Sequence, residues 1–285
     1  MSLRTRGFMP LIPPSVLALT LGFAVGCAPA ADVQTTSGEQ ETPAAAIAEP
    51  MPADPVWDYQ IGGGYPPADD VQVVLRDRED DPQPGLYNVC YVNGFQAQEH
   101  ENAWWVENHR DLLLWDGNGE PVIDDDWDEQ FLDLRTEDQR ERLADIMGGW
   151  MGGCAEAGFD GVEIDNLDSY TRSGGLISEE DAFAYATLLV ERADELGLTI
   201  GQKNAAEATG LGVEAGFDFA VAEECARWNE CDDYADAYPD RVLDVEYREQ
   251  DFALACERDA DIVSVILRDV DVLPEGEPGH VREVC

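Results

Sequence analysis

The chain is 285 residues long and carries 61 Asp and Glu against 17 Lys and Arg, a formal charge of -44. That balance excludes binding to nucleic-acid phosphates, which needs clustered Lys and Arg, and it opposes adhesion to anionic lipid. With 44% hydrophobic and 9% aromatic residues the chain still carries enough apolar matter for a full core, so acidity does not mean disorder here.

The N-terminal segment reads as an address. Arg4 and Arg6 precede an apolar stretch at 17–25, which is too short, and behind Pro10, Pro13 and Pro14 too interrupted, for a spanning helix. Ala24-Val25-Gly26-Cys27 looks like a bacterial lipobox. Residues 1–27 are then a lipoprotein signal peptide, and Cys27 is the lipidated first residue of the mature chain. An ordinary secretory signal with an incidental Cys27 is the alternative. The expected location is the bacterial cell envelope, with a lipid anchor in the membrane, or outside the cell if Cys27 is not lipidated. Residues 28–54 are rich in Ala, Pro, Glu, Thr and Gln, with no aromatic residue and no period, and read as a disordered linker. The remainder, 55–285, suits one large domain.

Within that domain, short apolar runs rich in β-formers recur at 71–75, 86–92, 130–134, 160–164, 198–202, 217–222, 242–247 and 262–267. Between them, 136–157, 178–196 and 250–258 are amphipathic and open on acids. Ser178 before Glu179, Glu180 and Asp181 is a helix start, and Gly158 and Gly197 stand where helix C-caps are expected. Alternation of this kind predicts an α/β fold, a (β/α)8 TIM barrel. Six cysteines remain beside Cys27: Cys90, Cys154, Cys225, Cys231, Cys256 and Cys285. An even number in an exported chain fits up to three disulfides among fifteen pairings, and proximity suggests only Cys225–Cys231. No CxxC occurs, and His100, His109 and His280 lie far from the cysteines, so no metal site is expected.

A barrel carries its chemistry where its strands end. Here Gly161-Val162-Glu163-Ile164 runs into Asp165-Asn166-Leu167-Asp168, and the run through Gly201 into Gln202-Lys203-Asn204. The next ones end in Glu223-Glu224, in Glu246-Tyr247-Arg248 and in Arg268-Asp269, while Phe131-Leu132 leads to Asp133-Leu134-Arg135. These endings predict a polar, acid-lined pocket with Asp133, Arg135, Asn166, Lys203, Asn204, Glu246 and Asp269 as substrate-binding candidates. Lys203 is the only lysine beside sixteen arginines, and an ammonium is a compact point charge that a planar guanidinium does not reproduce. Two carboxylates facing one glycosidic bond are what a glycosidase needs, and neighbouring negative charge with partial burial raises the pKa of one of them. Sugar rings stack on flat side chains, and Trp57, Tyr59, Tyr91, Tyr170, Trp228 and Tyr247 lie at or near strand ends. Of these, Trp57, Tyr91 and Trp228 are taken as substrate-binding, Trp228 because a Cys225–Cys231 loop would hold it near Glu223. Asp124-Asp125-Asp126 fits no calcium-loop spacing and reads as a solvated loop.

At these residues a resemblance emerges. GFDGVEIDNLDSY (158–170), LTIGQKN (198–204), FDFAVAEECARWNECD (217–232), VLDVEY (242–247) and VSVILRD (263–269) resemble the motifs of glycoside hydrolase family 114, TIM-barrel enzymes of the endo-α-1,4-polygalactosaminidase type. Trp57-Asp58-Tyr59-Gln60-Ile61 is similar to the family's opening Trp/Gln motif, Val89-Cys90-Tyr91-Val92-Asn93-Gly94 to its Cys-Tyr strand, and 127–135 to its stretch ending in Leu-Asp-Ile-Arg. The matches run in order across 57–270. The resemblance implies a catalytic pair, Asp165 and Glu223, without fixing which is nucleophile and which acid/base. It also implies an α-1,4-linked galactosamine-type polysaccharide as substrate and no cofactor. The chain departs from the family pattern in two motifs: Ala222-Glu223-Glu224-Cys225 stands where Asn-Glu-Gln-Cys is expected, and Ala205 follows Asn204 where Asp is usual. Both departures bear on specificity more than on chemistry. A non-catalytic glycan-binding lipoprotein, or a barrel glycosidase for another sugar polymer, is the alternative. The charge then gains a positive meaning, because partly deacetylated galactosamine polymers are polycations that an acidic cleft attracts.

Overall fold

The computed structural model describes residues 48–125 and 127–285. The leader, Cys27 with its lipid anchor, and most of the 28–54 linker lie outside the described residues, as does Asp126. The chain opens with β1 (Trp57–Gln60), β2 (Val73–Asp77) and β3 (Tyr87–Asn93). An excursion follows, in which β4 (Gln96–Ala97) pairs antiparallel with β5 (Gln130–Phe131) around α1 (Asn102–Asn108). Regular alternation resumes with α2 (Glu137–Ala157), β6 (Gly161–Asp165), α3 (Ser169–Arg172), α4 (Glu179–Leu196) and β7 (Thr199–Lys203). It continues through α5 (Thr209–Ala215), β8 (Phe219–Glu223), α6 (Cys225–Trp228), α7 (Cys231–Ala237), β9 (Val242–Glu246), α8 (Glu249–Arg258) and β10 (Ser264–Arg268). The last strand, β11 (Arg282–Val284), runs antiparallel to β10.

The sheet order β1-β2-β3-β6-β7-β8-β9-β10 makes a TIM barrel of eight parallel strands, with β11 added at the β10 edge. Side chains bridge the seam between β10 and β1: Trp57 Nε1 donates to the Ser264 carbonyl at 2.8 Å, and Arg282 donates to the Trp57 carbonyl at 2.9 Å. The strand period of two then sorts the barrel into two cores. Inward positions, among them Tyr59, Val89, Phe219, Val221, Leu243, Val245 and Ile266, fill the barrel. Outward ones such as Val162, Ile164, Ile200 and Ala220 pack under the helices with Leu143, Met147 and Leu189.

The helices start and stop as their sequences dictate. Thr136 caps α2 by accepting from the Gln139 N–H, and Ser178 with Asp181 forms a capping box on α4. Gly158 (φ 101°) and Gly197 (φ 71°) end these helices in the left-handed conformation, which costs glycine little. Three disulfides, Cys90–Cys154, Cys225–Cys231 and Cys256–Cys285, tie β3 to α2, α6 to α7, and α8 to the C-terminus.

One of the expected barrel strands is misplaced. The 130–134 run is not a barrel strand: only Gln130–Phe131 is extended, and Phe131, Leu132 and Leu134 pack in the outer core. The barrel strand missing from the expected set is β1. Its Asp58 and Gln60 break the apolar pattern, yet both are fully buried against Tyr65, Arg76, Arg268 and Arg282.

Candidate active site

At the C-terminal rim the inward positions turn polar. Along β3 the inward series is Val89, Tyr91, Asn93; along β6 it is Gly161, Glu163, Asp165; along β7 Thr199, Gly201, Lys203; along β8 Phe219, Val221, Glu223. After the functional side chains the backbone bends sharply. Asn166 (φ 66°), Asn204 (φ 53°), Ala205 (φ 62°) and Glu224 (φ 59°) all adopt left-handed conformations, uncommon for Ala and Glu and concentrated here on three adjacent strand ends.

Lys203 is the hub. Its side chain is 2% exposed, and its Nζ lies 3.1 Å from Glu163 Oε1, 3.2 Å from Asp165 Oδ1 and 3.6 Å from Glu223 Oε2. Nζ also donates to the Tyr59 hydroxyl at 3.1 Å, and that hydroxyl in turn donates to Glu163 at 2.9 Å. Tyr91 donates to Asp165 Oδ2 at 2.7 Å, and the Asn166 N–H to Asp165 Oδ1 at 2.9 Å. Asn204 clamps Glu223, donating from Nδ2 to Oε2 and accepting from the Glu223 N–H, both at 2.9 Å; Tyr247 donates to Glu223 Oε1 at 2.5 Å.

Three carboxyls around one ammonium cannot share its charge equally, and their surroundings separate them. Burial pushes Glu163 up to about 7, despite Lys203. Burial works to raise Asp165 as well, but it is outweighed by Lys203, the Tyr91 hydroxyl and the Asn166 N–H, which hold this carboxyl below its ordinary range. Burial opposes the charge on Lys203, yet Asp165, Glu223 and Glu163 together raise it well above the usual lysine value, so it stays a cation. The result is a proton-rich acid on the floor, a persistent carboxylate on one wall, and a second, more exposed carboxyl group facing it. Glu223 is 31% exposed against 19% for Asp165.

These groups open into a cavity of about 400 Å³. Trp127, Glu129, Asp168, Arg172, Tyr247 and Asp271 also line it. Asp168 is neutralised by Arg172 at 2.7 Å, whereas Glu129 forms no ion pair among the described residues and accepts only from Asn93 at 2.7 Å. Burial pushes Glu129 up to about 7.

The family model for glycoside-hydrolase family GH114 matches residues 38–285. The chain belongs to glycoside-hydrolase family GH114. It is therefore a glycosidase. No curated protein matches the chain in sequence. Among solved structures, this GH114 chain is similar to Aspergillus fumigatus Ega3 in complex with galactosamine. That match has 20% identity and a TM-score of 0.67, and covers 84% of this chain and 99% of the other. It is also similar to the glycoside hydrolase domain of PelA from Pseudomonas aeruginosa, with 14% identity and a TM-score of 0.54 over 85% of this chain and 99% of that one. At these identities the likeness is one of fold.

The GH114 cavity brings together Tyr91, Asp165, Asn166, Lys203, Asn204 and Glu223. The other sequence candidates stand elsewhere. Trp57 is 1% exposed inside the barrel. Asp133 and Arg135 sit ahead of α2 and pair with each other through two hydrogen bonds at 2.8 and 2.7 Å. Glu246 points outward and accepts from the N–H groups of Ala226 and Arg227; the inward neighbour that reaches the cavity is Tyr247. Asp269 accepts from the N–H groups of Leu273 and Val281 and so pins a loop. Trp228 is 58% exposed, under the Arg227 guanidinium and outside the cavity lining. Asp124, read as part of a solvated loop, is buried and accepts from Arg172 and Gln96 at 2.8 and 3.0 Å.

Glu163, Glu129, Trp127 and the Asp168–Arg172 pair are the members that sequence reasoning missed. Glu163 was within reach, because it lies two residues before Asp165 and strands repeat their facing every second residue. Nothing local marks Glu129, which arrives from the excursion between β3 and α2.

Proposed function

We propose that this GH114 enzyme cleaves an α-1,4-linked galactosamine-type polysaccharide by a two-carboxylate retaining mechanism, with Asp165 as nucleophile and Glu223 as acid/base. The observation that carries the proposal is the contact of both carboxylates with Lys203 Nζ, at 3.2 and 3.6 Å. Their facing oxygens cannot be farther apart than those two lengths laid end to end. That ceiling falls at the bottom of the about 6.5–9.5 Å that inversion requires, and leaves room for the about 5–5.5 Å of retention.

Asp165, held anionic by Lys203, Tyr91 and the Asn166 N–H, attacks the anomeric carbon as the glycosidic C–O bond breaks. Glu223 gives its proton to the departing oxygen. Water then attacks the glycosyl ester while Glu223 takes its proton, and the Asp165–sugar bond breaks. Lys203 stays in contact with both groups as they change charge. For the substrate, support comes from the galactosamine in the similar Ega3 structure and from Glu129, a cleft carboxyl without an ion-pair partner among the described residues and thus open to a sugar ammonium.

The decisive assay follows new reducing ends on partly deacetylated galactosaminan. Asp165→Asn and Glu223→Gln should each lower turnover on the order of 10²–10⁴-fold without unfolding the chain. Glu129→Gln should raise KM on the deacetylated polymer while leaving the acetylated one unaffected. NMR of the first product should show the α anomer; a β product would remove the nucleophile role of Asp165. Binding without cleavage, unchanged in Asp165→Asn, would favour a glycan-binding protein. The proposed site of action is the envelope surface, and Cys27→Ser should release the protein from membrane fractions.

A further inference from the structure

Outside the cavity, a second acid cluster lies on the outer side of the barrel. Glu224 comes from the turn after β8, Glu246 from the end of β9, and Asp251 from the first turn of α8. One carboxylate oxygen from each lies within 4.8 Å of the others. Three anionic oxygens held that close repel one another unless a cation lies among them. Two guanidinium groups are present. Arg227 pairs with Glu224, and Arg248 pairs with Asp251 and lies 3.9 Å from Glu224 Oε1.

Neither arginine pairs with Glu246. That side chain is fully buried, with Oε1 fixed by the N–H groups of Ala226 and Arg227. Its Oε2 is buried without a hydrogen-bond partner. A buried carboxylate oxygen left bare costs free energy of a few kcal/mol, on the order of 1–3 or more for a charged group. Neither arginine supplies this oxygen with a partner.

We propose that Glu224, Glu246 and Asp251 form a calcium site. All three ligands are hard carboxylate oxygens, as calcium prefers. Two oxygens each about 2.3–2.6 Å from one ion lie at most about 5 Å apart, which the observed spacing satisfies. The three ligands come from separate segments and present no octahedral cage, which suits calcium's variable geometry better than magnesium's strict octahedron. The Arg248 side chain is 43% exposed, so it can swing into solvent as the ion enters. Water completes the coordination from that open side. The site would join the turn that follows Glu223 to β9 and α8, and so would stiffen the Cys225–Cys231 segment from outside the cavity.

The test is a calorimetric titration of EDTA-treated protein with CaCl2 at physiological ionic strength, where diffuse attraction to the acidic surface is screened. The expected result is one saturable site, a thermal midpoint that rises with calcium, and a weaker response to MgCl2. Glu246→Gln and Asp251→Asn should each lower calcium affinity at least tenfold, whereas Glu156→Gln, an exposed acid on α2, should leave it unchanged. Wild-type titration without a saturable site overturns the proposal, whether or not the variants fold. So does a calcium isotherm that Glu246→Gln and Asp251→Asn leave intact.

Discussion

Lys203 decides the electrostatics of the site because one ammonium serves three carboxyls. Removing it leaves the fully buried Glu163 and the largely buried Asp165 without their cation. Breaking a buried pair by deleting one partner costs about 3–5 kcal/mol. Lys203→Met should therefore lower stability by about that amount, measured by denaturant unfolding, and abolish turnover. Adding Glu163→Gln should recover much of the stability and none of the activity. Recovery of both would mean that Lys203 serves only to solvate Glu163. The lysine was legible in the sequence as a lone residue at a strand end. Its sharing among Glu163, Asp165 and Glu223 was not, since that depends on which residues on neighbouring strands reach the same height.

At the scale of the strand, the period of two assigns nearly every role in the site. It places Tyr91, Asp165, Lys203 and Glu223 in the cavity, and one step along β9 it separates Tyr247 inside from Glu246 outside. A one-residue offset turns a side chain to the other face, and this is why Glu246 was misread. β1 escaped notice for a related reason: Asp58 and Gln60 resemble loop residues until the arginines that bury them come in from β2, β10 and β11. The 130–134 run misled in the opposite direction, being apolar enough for a barrel strand but spent on the packing of the excursion. Register also explains Gly201. A Cβ there would stand 2.3 Å from the Phe219 ring of the adjacent strand. Gly201→Ala should cost about 1–3 kcal/mol by overpacking and shift Lys203, two residues on, so that turnover falls beyond what the stability loss explains. Equal unfolding midpoints for variant and wild type would contradict this.

Across the whole molecule the buried acids act together. Burial raises Glu129 and Glu163 from 4.5 to about 7. A carboxyl whose folded pKa is raised binds its proton more tightly in the native state. Its contribution is complete below about 4.5 and is lost as pH rises through about 7. Asp165, lowered from 3.8, works oppositely and only at more acidic pH, where its contribution disappears as it becomes protonated. The sum predicts a thermal midpoint that falls between about pH 5 and about pH 8, and a shallower fall for Glu163→Gln. A midpoint that rises over that interval would reverse the assignment. The overall charge acts in the same direction, since self-repulsion grows as the acids ionise.

The burial of the only lysine makes the chain its own reporter of unfolding. A lysine-specific protease has one peptide bond to cut, after Lys203, and that bond lies at the end of a fully buried strand. Native protein should resist cleavage, and under excess protease the rate of cutting should equal the rate at which the barrel opens. Cys90–Cys154 lies before the cut, and Cys225–Cys231 and Cys256–Cys285 lie after it. None of these three disulfides spans the break, so the two pieces should separate on a denaturing gel without reductant, each still carrying its own bridges.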